Sequence, residues 1–309
     1  MKFRHHAFTM LELVFVIVIM GIIGKFGVEF LAQSYQSFIS SSINNTLQTN
    51  SATAVEFIAS RLQHRIKAST IARENNASYT LLTNYFNATA PTLEWIGVDI
   101  DGYRGNALPL WSGIADLNPS TTVNLNSPAS NTFDSNVLIN NLSNNQAGID
   151  DSAIYFIHPD AITTAEDWGW DANASRFDIQ SDVQIHPIRA SIFNTTDLVP
   201  VSWGTGVSVD NNLSGVEATE YFQLAWSAYA IGITNWNAGT NTGTLTMWYN
   251  YRPWKGERYD LNGSTSIIME NVSSFRFIAS ESLVKIQVCV KSDLVANEVY
   301  AICKEKTIF

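Results

Sequence analysis

Two hydrophobic periodicities divide this chain. Leu13 to Ile23 is an unbroken apolar run. It is too short alone to cross a bilayer, but Phe8 to Gly24 gives 17 residues and roughly 25 Å of helix, near the lower limit for a span. Lys25 stands where it can snorkel to the interface. Neither Gly nor Pro occurs from Val28 to Ala90, and Ile39, Ile43 and Leu47 recur at i, i+4 and i+8, so the helix is expected to continue. Val55, Ile58, Ala59, Leu62 and Ile66 resume the stripe, with Arg61, His64, Arg65 and Lys67 on the other faces. That pattern suits a helix lying on a sheet, and cations near its end suit the dipole. Uninterrupted from Phe8 to Arg73, the helix would measure on the order of 100 Å. The polar Thr49-Asn50-Ser51 patch is its candidate break.

After Asn75 the helical period vanishes. Short apolar runs alternate with Asn, Ser, Thr and Gly, the pattern of a β-rich domain. Expected strands are Ser152 to His158, Glu220 to Ile231, Thr244 to Tyr251, Thr265 to Glu270, Ser273 to Ala279, Leu283 to Val290 and Glu298 to Cys303. Val284, Ile286, Val288 and Val290 share one face of their strand, which is therefore expected to be buried. Asn262-Gly263 reads as a turn between two of the strands. The Asn- and Ser-rich stretch from Thr121 to Gln146 reads as an ordered insertion or a mobile loop. The expected fold class is α+β: a long N-terminal helix over residues 8–32 and 33–74, packed on a mainly antiparallel domain over residues 75–309.

The composition supports a folded domain, with 46% hydrophobic and 15% charged residues among 309. A formal charge of −10 with no basic tract argues against nucleic acid as a partner. The N-terminus narrows the reading further. Met1 to Ala7 is short and basic, which places it on the cytoplasmic side of a span. A cleaved secretory signal has the same outline, but Phe30 occupies the position that should be small if Ala32 were the last signal residue. Glu12 is the second discordant feature. A carboxylate within an apolar span costs about 2.5 to 3.5 kcal/mol near the bilayer centre, and an intramembrane ionisable group is by default functional.

Ala7-Phe8-Thr9-Met10-Leu11-Glu12-Leu13 resembles the processing motif of type IV prepilins and type II secretion pseudopilins. The resemblance implies cleavage between Ala7 and Phe8 by a prepilin peptidase, N-methylation of Phe8, and removal of residues 1–7 as a leader. Loss of Lys2 and Arg4 would take the charge to −12. Glu12, fifth after the cut, would meet the ammonium of Phe8, its own or that of a neighbouring subunit, during assembly. The chain departs from the family pattern at Ala7, where Gly is usual, and at Glu29, where Pro is frequent. The second departure implies a straight helix. The expected location is the inner membrane with a periplasmic domain, then a filament or pseudopilus. The expected partners are the peptidase, other pilin or pseudopilin subunits and the membrane. The later architecture is similar to the larger minor pilins and J-type pseudopilins.

The two cysteines, Cys289 and Cys303, would be incidental thiols in a reducing compartment; a periplasmic destination makes them a disulfide. Asp171-x-Asn173-x-Ser175 with Asp178 and Asp182 only loosely resembles a calcium loop, since Arg176 stands where the turn needs Gly. Asp99-x-Asp101-Gly102 is weaker still, and no metal or cofactor is expected. The Trp248 to Trp254 segment with Lys255 and Arg258, and Trp168-Gly169-Trp170, are either half core and half sheet surface, or an aromatic surface for glycan or a partner subunit, as on a pilus-tip adhesin or substrate-binding subunit. His158 and His186 each precede Pro. Asp150-Asp151 and Glu166-Asp167 read as loop charge, and no nucleophile elbow, phosphate loop or zinc helix is present. No catalytic residue is expected, and the chain reads as a structural subunit rather than an enzyme.

Overall fold

A computed structural model describes residues 9–75, 77–86, 90–105, 107–158, 163–280, 283–295 and 298–309. The fold is α+β. The first helix, α1, runs unbroken from Met10 to Leu62. The Thr49-Asn50-Ser51 patch does not interrupt it; within the helix Ser51 and Thr53 donate their hydroxyls to the carbonyls of Gln48 and Thr49 at 3.1 and 2.9 Å. The helix ends eleven residues short of Arg73. No Gly or Pro stops it; tertiary pairing does. Ile66 N donates to Ile96 O at 2.9 Å and Val98 N to His64 O at 2.9 Å, so residues 64–66 leave the helix to lie beside a strand. Residues 71–74, expected as helix, lie in strand β1, Ile71–Asn75.

The remaining elements follow in order: β1 Ile71–Asn75, β2 Ser78–Leu81, β3 Thr92–Gly97, α2 Ile100–Arg104, β4 Asp116–Thr121, β5 Asn124–Asn126, α3 Thr132–Leu142, β6 Ala153–Phe156, β7 His186–Ala190 and β8 Asp197–Ser202. Then come β9 Val209–Asp210, β10 Phe222–Ala225, β11 Ser227–Asn237, β12 Thr242–Tyr251, α4 Tyr259–Asn262, β13 Ser264–Ser280, β14 Leu283–Val295 and β15 Glu298–Ile308. The large sheet has the order β15-β14-β13-β12-β11-β3-β1-β2, and the second has β10-β6-β7-β8-β5-β4 with β9 beside β8. All pairs are antiparallel.

One face of the large sheet carries the second half of α1. Val55, Ile58, Ala59 and Leu62, spaced to share one side of the helix, pack with Leu93, Trp95, Ile231, Leu245 and Ile308. Val284, Ile286, Val288 and Val290 join them from β14, as their alternation requires. Fully burying Ile58 or Leu62 stabilises by about 1.5 to 3 kcal/mol each. The opposite face is covered by an aromatic layer in which Trp168, Trp170 and Phe177 meet Ile96, Tyr251 and Trp254.

Three local expectations change. The two strands expected around Asn271 are one strand, β13, carried across a register shift in which Asn271 adopts φ 58°; Asn is among the few residues that tolerate this conformation. Asn262-Gly263 does not form a tight hairpin: it closes α4, and Gly263 has an ordinary φ of −71°. The Thr121 to Gln146 stretch is ordered, contributing β5 and α3. The cap of α3 is Asn131, whose side chain accepts from Asp134 N at 3.2 Å.

Two buried polar devices tie the layers together. Arg73 of β1 forms a salt bridge with Glu94 of β3, their side chains 4% and 1% exposed. Tyr251 donates its hydroxyl to the same carboxylate at 2.9 Å, and Arg73 donates to Trp170 O at 3.1 Å. In the second sheet His186 is fully buried. Gln180 donates to Phe177 O and Val201 O, which orients its amide so that its oxygen faces His186 Nδ1 at 3.0 Å; that nitrogen therefore carries the proton. Burial pulls the His186 pKa from 6.5 down to about 3.

Glu94→Ala strands a buried guanidinium and is expected to lower unfolding stability by about 3 to 5 kcal/mol, measured by urea titration; Arg73→Met with Glu94→Leu is expected to recover most of that loss. His186 remains neutral in the native state while the unfolded chain takes up a proton below pH 6.5. Stability is thus expected to fall as pH drops from 6.5 towards 3, by up to about 1.4 kcal/mol per pH unit from this group. Comparing urea midpoints at neutral and acid pH for the native chain and His186→Asn, which retains an N–H donor, measures that share as the slope lost in the variant.

Candidate membrane and assembly segment

The first half of α1 makes no packing contact with the domain. Its first buried residue is Ile43, so roughly 50 Å of helix precedes it. Every large apolar side chain from Met10 to Phe38 is exposed, Met10 to 86% and Phe38 to 70%. An apolar surface of this extent marks a membrane or protein interaction surface. By length and composition this helix can cross a membrane, and none of its apolar window is buried. The helix is unbroken through Glu29, a position where Pro would bend it. Lys25 lies 4.0 Å from Glu29, both exposed, an i,i+4 pair of little energetic weight.

Glu12 lies at the start of this helix, in the first turn. Thr9 is the N-cap. Its Oγ1 accepts from Glu12 N at 3.3 Å, and the Glu12 carboxylate accepts from Thr9 N and Oγ1, both at 3.1 Å. This reciprocal arrangement is a capping box. It satisfies donors that a helix end leaves open and places a negative charge at the positive end of the dipole. The signal was legible as Thr9 three residues before Glu12. Ala7 and Phe8, the residues of the expected cut, lie outside the described residues.

The two cysteines form a disulfide. Cys289 and Cys303 face each other across β14 and β15 with Cα atoms 4.0 Å apart, fastening the edge strand of the large sheet. Val288 and Val290 face α1, so Cys289 points to the other side.

The other candidate residues are dispersed into structural tasks. Asp171 and Asn173 accept from the backbone N–H groups of Asn173 and Ser175. Asp178 accepts from Ser202, and Asp182 from Ser181. Among the described residues no group of three or more His, Cys, Asp or Glu side chains is arranged to hold a metal. Asp99 caps α2 and accepts from Gly102 N and Trp111 Nε1, each at 3.1 Å. Asp150 accepts from Ala190 N, Asp151 pairs with Lys255, and Asp167 pairs with Arg176. Trp168, Trp170, Tyr251 and Trp254 are core residues. Trp254 donates to Asp151 O at 2.9 Å and Trp170 to Ser69 O at 2.8 Å. Trp248 packs edge-on against Tyr259, Lys255 lies 3.9 Å over the Trp203 ring, and Arg258 pairs with Asp260. These segments present no continuous aromatic surface. His158 packs near Tyr155, and His186 is the buried donor already described.

No protein-family model, curated protein or solved structure matches this chain, so its functional reading stands on the exposed helix and on the motif that opens it.

Proposed function

We propose that this chain is a minor pilin or pseudopilin. It is a structural subunit, matured by a prepilin peptidase and assembled through its N-terminal helix into a type IV pilus or a type II secretion pseudopilus. The observation that carries the reading is the exposed apolar half of α1, which opens on the Thr9–Glu12 capping box directly after Ala7-Phe8. The helix serves two environments in turn. In the inner membrane its apolar surface faces lipid; in the assembled state it faces the same segment of other subunits. The domain stands on the periplasmic side and then on the outside of the assembly. Glu12 carries a charge that is costly in lipid unless matched, and the ammonium created on Phe8 by cleavage is its match. No reaction is assigned to the chain. Of the aromatic segments that would serve an adhesin, Trp168, Trp170, Tyr251 and Trp254 are buried in the core, while Trp248 and Tyr249 are half-buried, so the exposed helix favours the structural reading over that second one.

Mass spectrometry of the chain isolated from membranes is expected to find an N-terminus at methylated Phe8; an N-terminus at Met1, or one near Gln33, would defeat the proposal. Glu12→Ala removes a carboxylate from an apolar helix, so membrane retention is expected to persist or improve while incorporation into assemblies falls by about tenfold or more, read by fractionation of sheared filaments or by crosslinking to neighbouring subunits.

A further inference from the structure

The end of α1 meets the junction of β3 and α2 at a concave pocket of about 380 Å³. Arg61, from the last turn of α1, and Arg104, from α2, line it together with His64. Arg73, Arg176, Arg189, Arg252 and Arg258 each have a carboxylate partner. Arg61 and Arg104 have no ion pair or hydrogen bond among the described residues, and Arg61 has only the Phe57 ring, 5.9 Å from its Cζ. Two uncommitted guanidinium groups in one concavity are notable on a chain of net charge −10.

The carboxylates nearby do not neutralise them. Asp99 is buried and occupied by Gly102 N and Trp111 Nε1. Asp101 is the one exposed carboxylate of the lining, against two arginines. The field at His64 registers the balance: burial lowers its pKa first, and Arg104 and Arg61 lower it further against the opposing pull of Asp101. Nor does the helix end present bare acceptors. Ala59 O and Arg61 O accept from Gln63 N and His64 N, and Leu62 O accepts from Arg65 Nη1 at 2.7 Å.

Three aromatic side chains, Phe57, Trp226 and Tyr229, share the rest of the lining with Ser60, Gln63, Gly97, Val98 and Ile100. Tyr229 lies over Gly97 so closely that a Cβ there would sit 2.5 Å from its Cε2, and its ring stacks on Trp95 at 5.7 Å. Trp226 supplies a second aromatic wall. The volume lies within the range of small-ligand sites, and planar guanidinium groups recognise carboxylate and phosphoryl oxygens in pairs. A lipid headgroup is out of reach: Arg61 is 36 residues beyond Lys25, roughly 54 Å along the helix.

We propose that this pocket binds a small aromatic anion, its carboxylate or phosphoryl group held between Arg61 and Arg104 and its ring resting against Tyr229 and Trp226. The proposal is independent of the assembly reading. Its test is calorimetric titration of the full chain in an uncharged detergent with phenyl phosphate, benzoate and inorganic phosphate. One aromatic anion is expected to bind at a single saturable site, and which of the two binds more tightly identifies the head group. That binding is expected to be about fivefold or more tighter than inorganic phosphate, reflecting the aromatic wall. Arg61→Gln with Arg104→Gln, both exposed positions, is expected to weaken it by about tenfold or more, while the exposed Arg276→Gln leaves it unchanged. Absence of saturable binding by either aromatic anion, affinity equal to that of inorganic phosphate, or an equal loss in Arg276→Gln overturns the proposal. Weakened subunit association in the double variant, with no probe bound by the native chain, assigns the pocket to a neighbouring protein's carboxylate and overturns it likewise.

Discussion

The packing of one helical stripe, Val55, Ile58, Ala59 and Leu62, on the valine- and isoleucine-lined face of the large sheet is the contact on which the rest of the architecture depends. It makes the second half of α1 part of the domain core and leaves the first half with nothing to pack against. A helix that is half core and half exposed apolar rod is continuous in backbone and discontinuous in solvent requirement. The rod cannot fold back to cover itself, because the helix has no break between Met10 and Leu62. Its surface calls for lipid or another apolar surface against it. The capping box at its start and the sheet at its end stabilise opposite termini of the same element.

The domain answers a different demand. Its two sheets share aromatic and aliphatic layers, and the buried side chains of Arg73, Glu94, Tyr251, Gln180 and His186 are paired with one another rather than aimed into a cleft. Arg73, Glu94 and Tyr251 join three strands of the large sheet, while Gln180 and His186 orient each other beside the second. Such networks give geometric definition when complete and are costly when one member is lost. Several carboxylates that a motif search would single out are spent on loop closure, as acceptors for backbone N–H groups or as partners of Arg and Lys.

Much of this was legible in the residues because the periodicities are strong. The apolar run from Leu13 to Ile23, the stripe from Val55 to Ile66 and the alternation from Val284 to Val290 each report a local rule, and the structure follows the first and third throughout and the second as far as Leu62. The misses were non-local. The helix ends at Leu62 because residues 64–66 find a partner in β3, some thirty residues on. Helix α3 is weakly apolar, with Ile139 its one fully buried large side chain, so its Asn-rich sequence resembles a loop. Asn262-Gly263 had the residues of a tight turn, yet β12 and β13 are joined through a longer connection that includes α4. The pocket near Arg61 and Arg104 brings together α1, α2 and β11, which no spacing along the chain announces.

The disulfide also has a mechanical consequence. β15 is an edge strand whose last residues grip α1: Lys306 pairs with Glu56 at 2.5 Å, and Ile308 is buried against the helix stripe. Tension along α1 therefore reaches the sheet in part through the end of the chain, where an edge strand yields by unzipping one hydrogen bond after another. The covalent link at Cys303 sets a stop to that unzipping. Lys304 to Ile308 can peel away from β14, but the tear cannot pass Cys303 while the bond to Cys289 is intact.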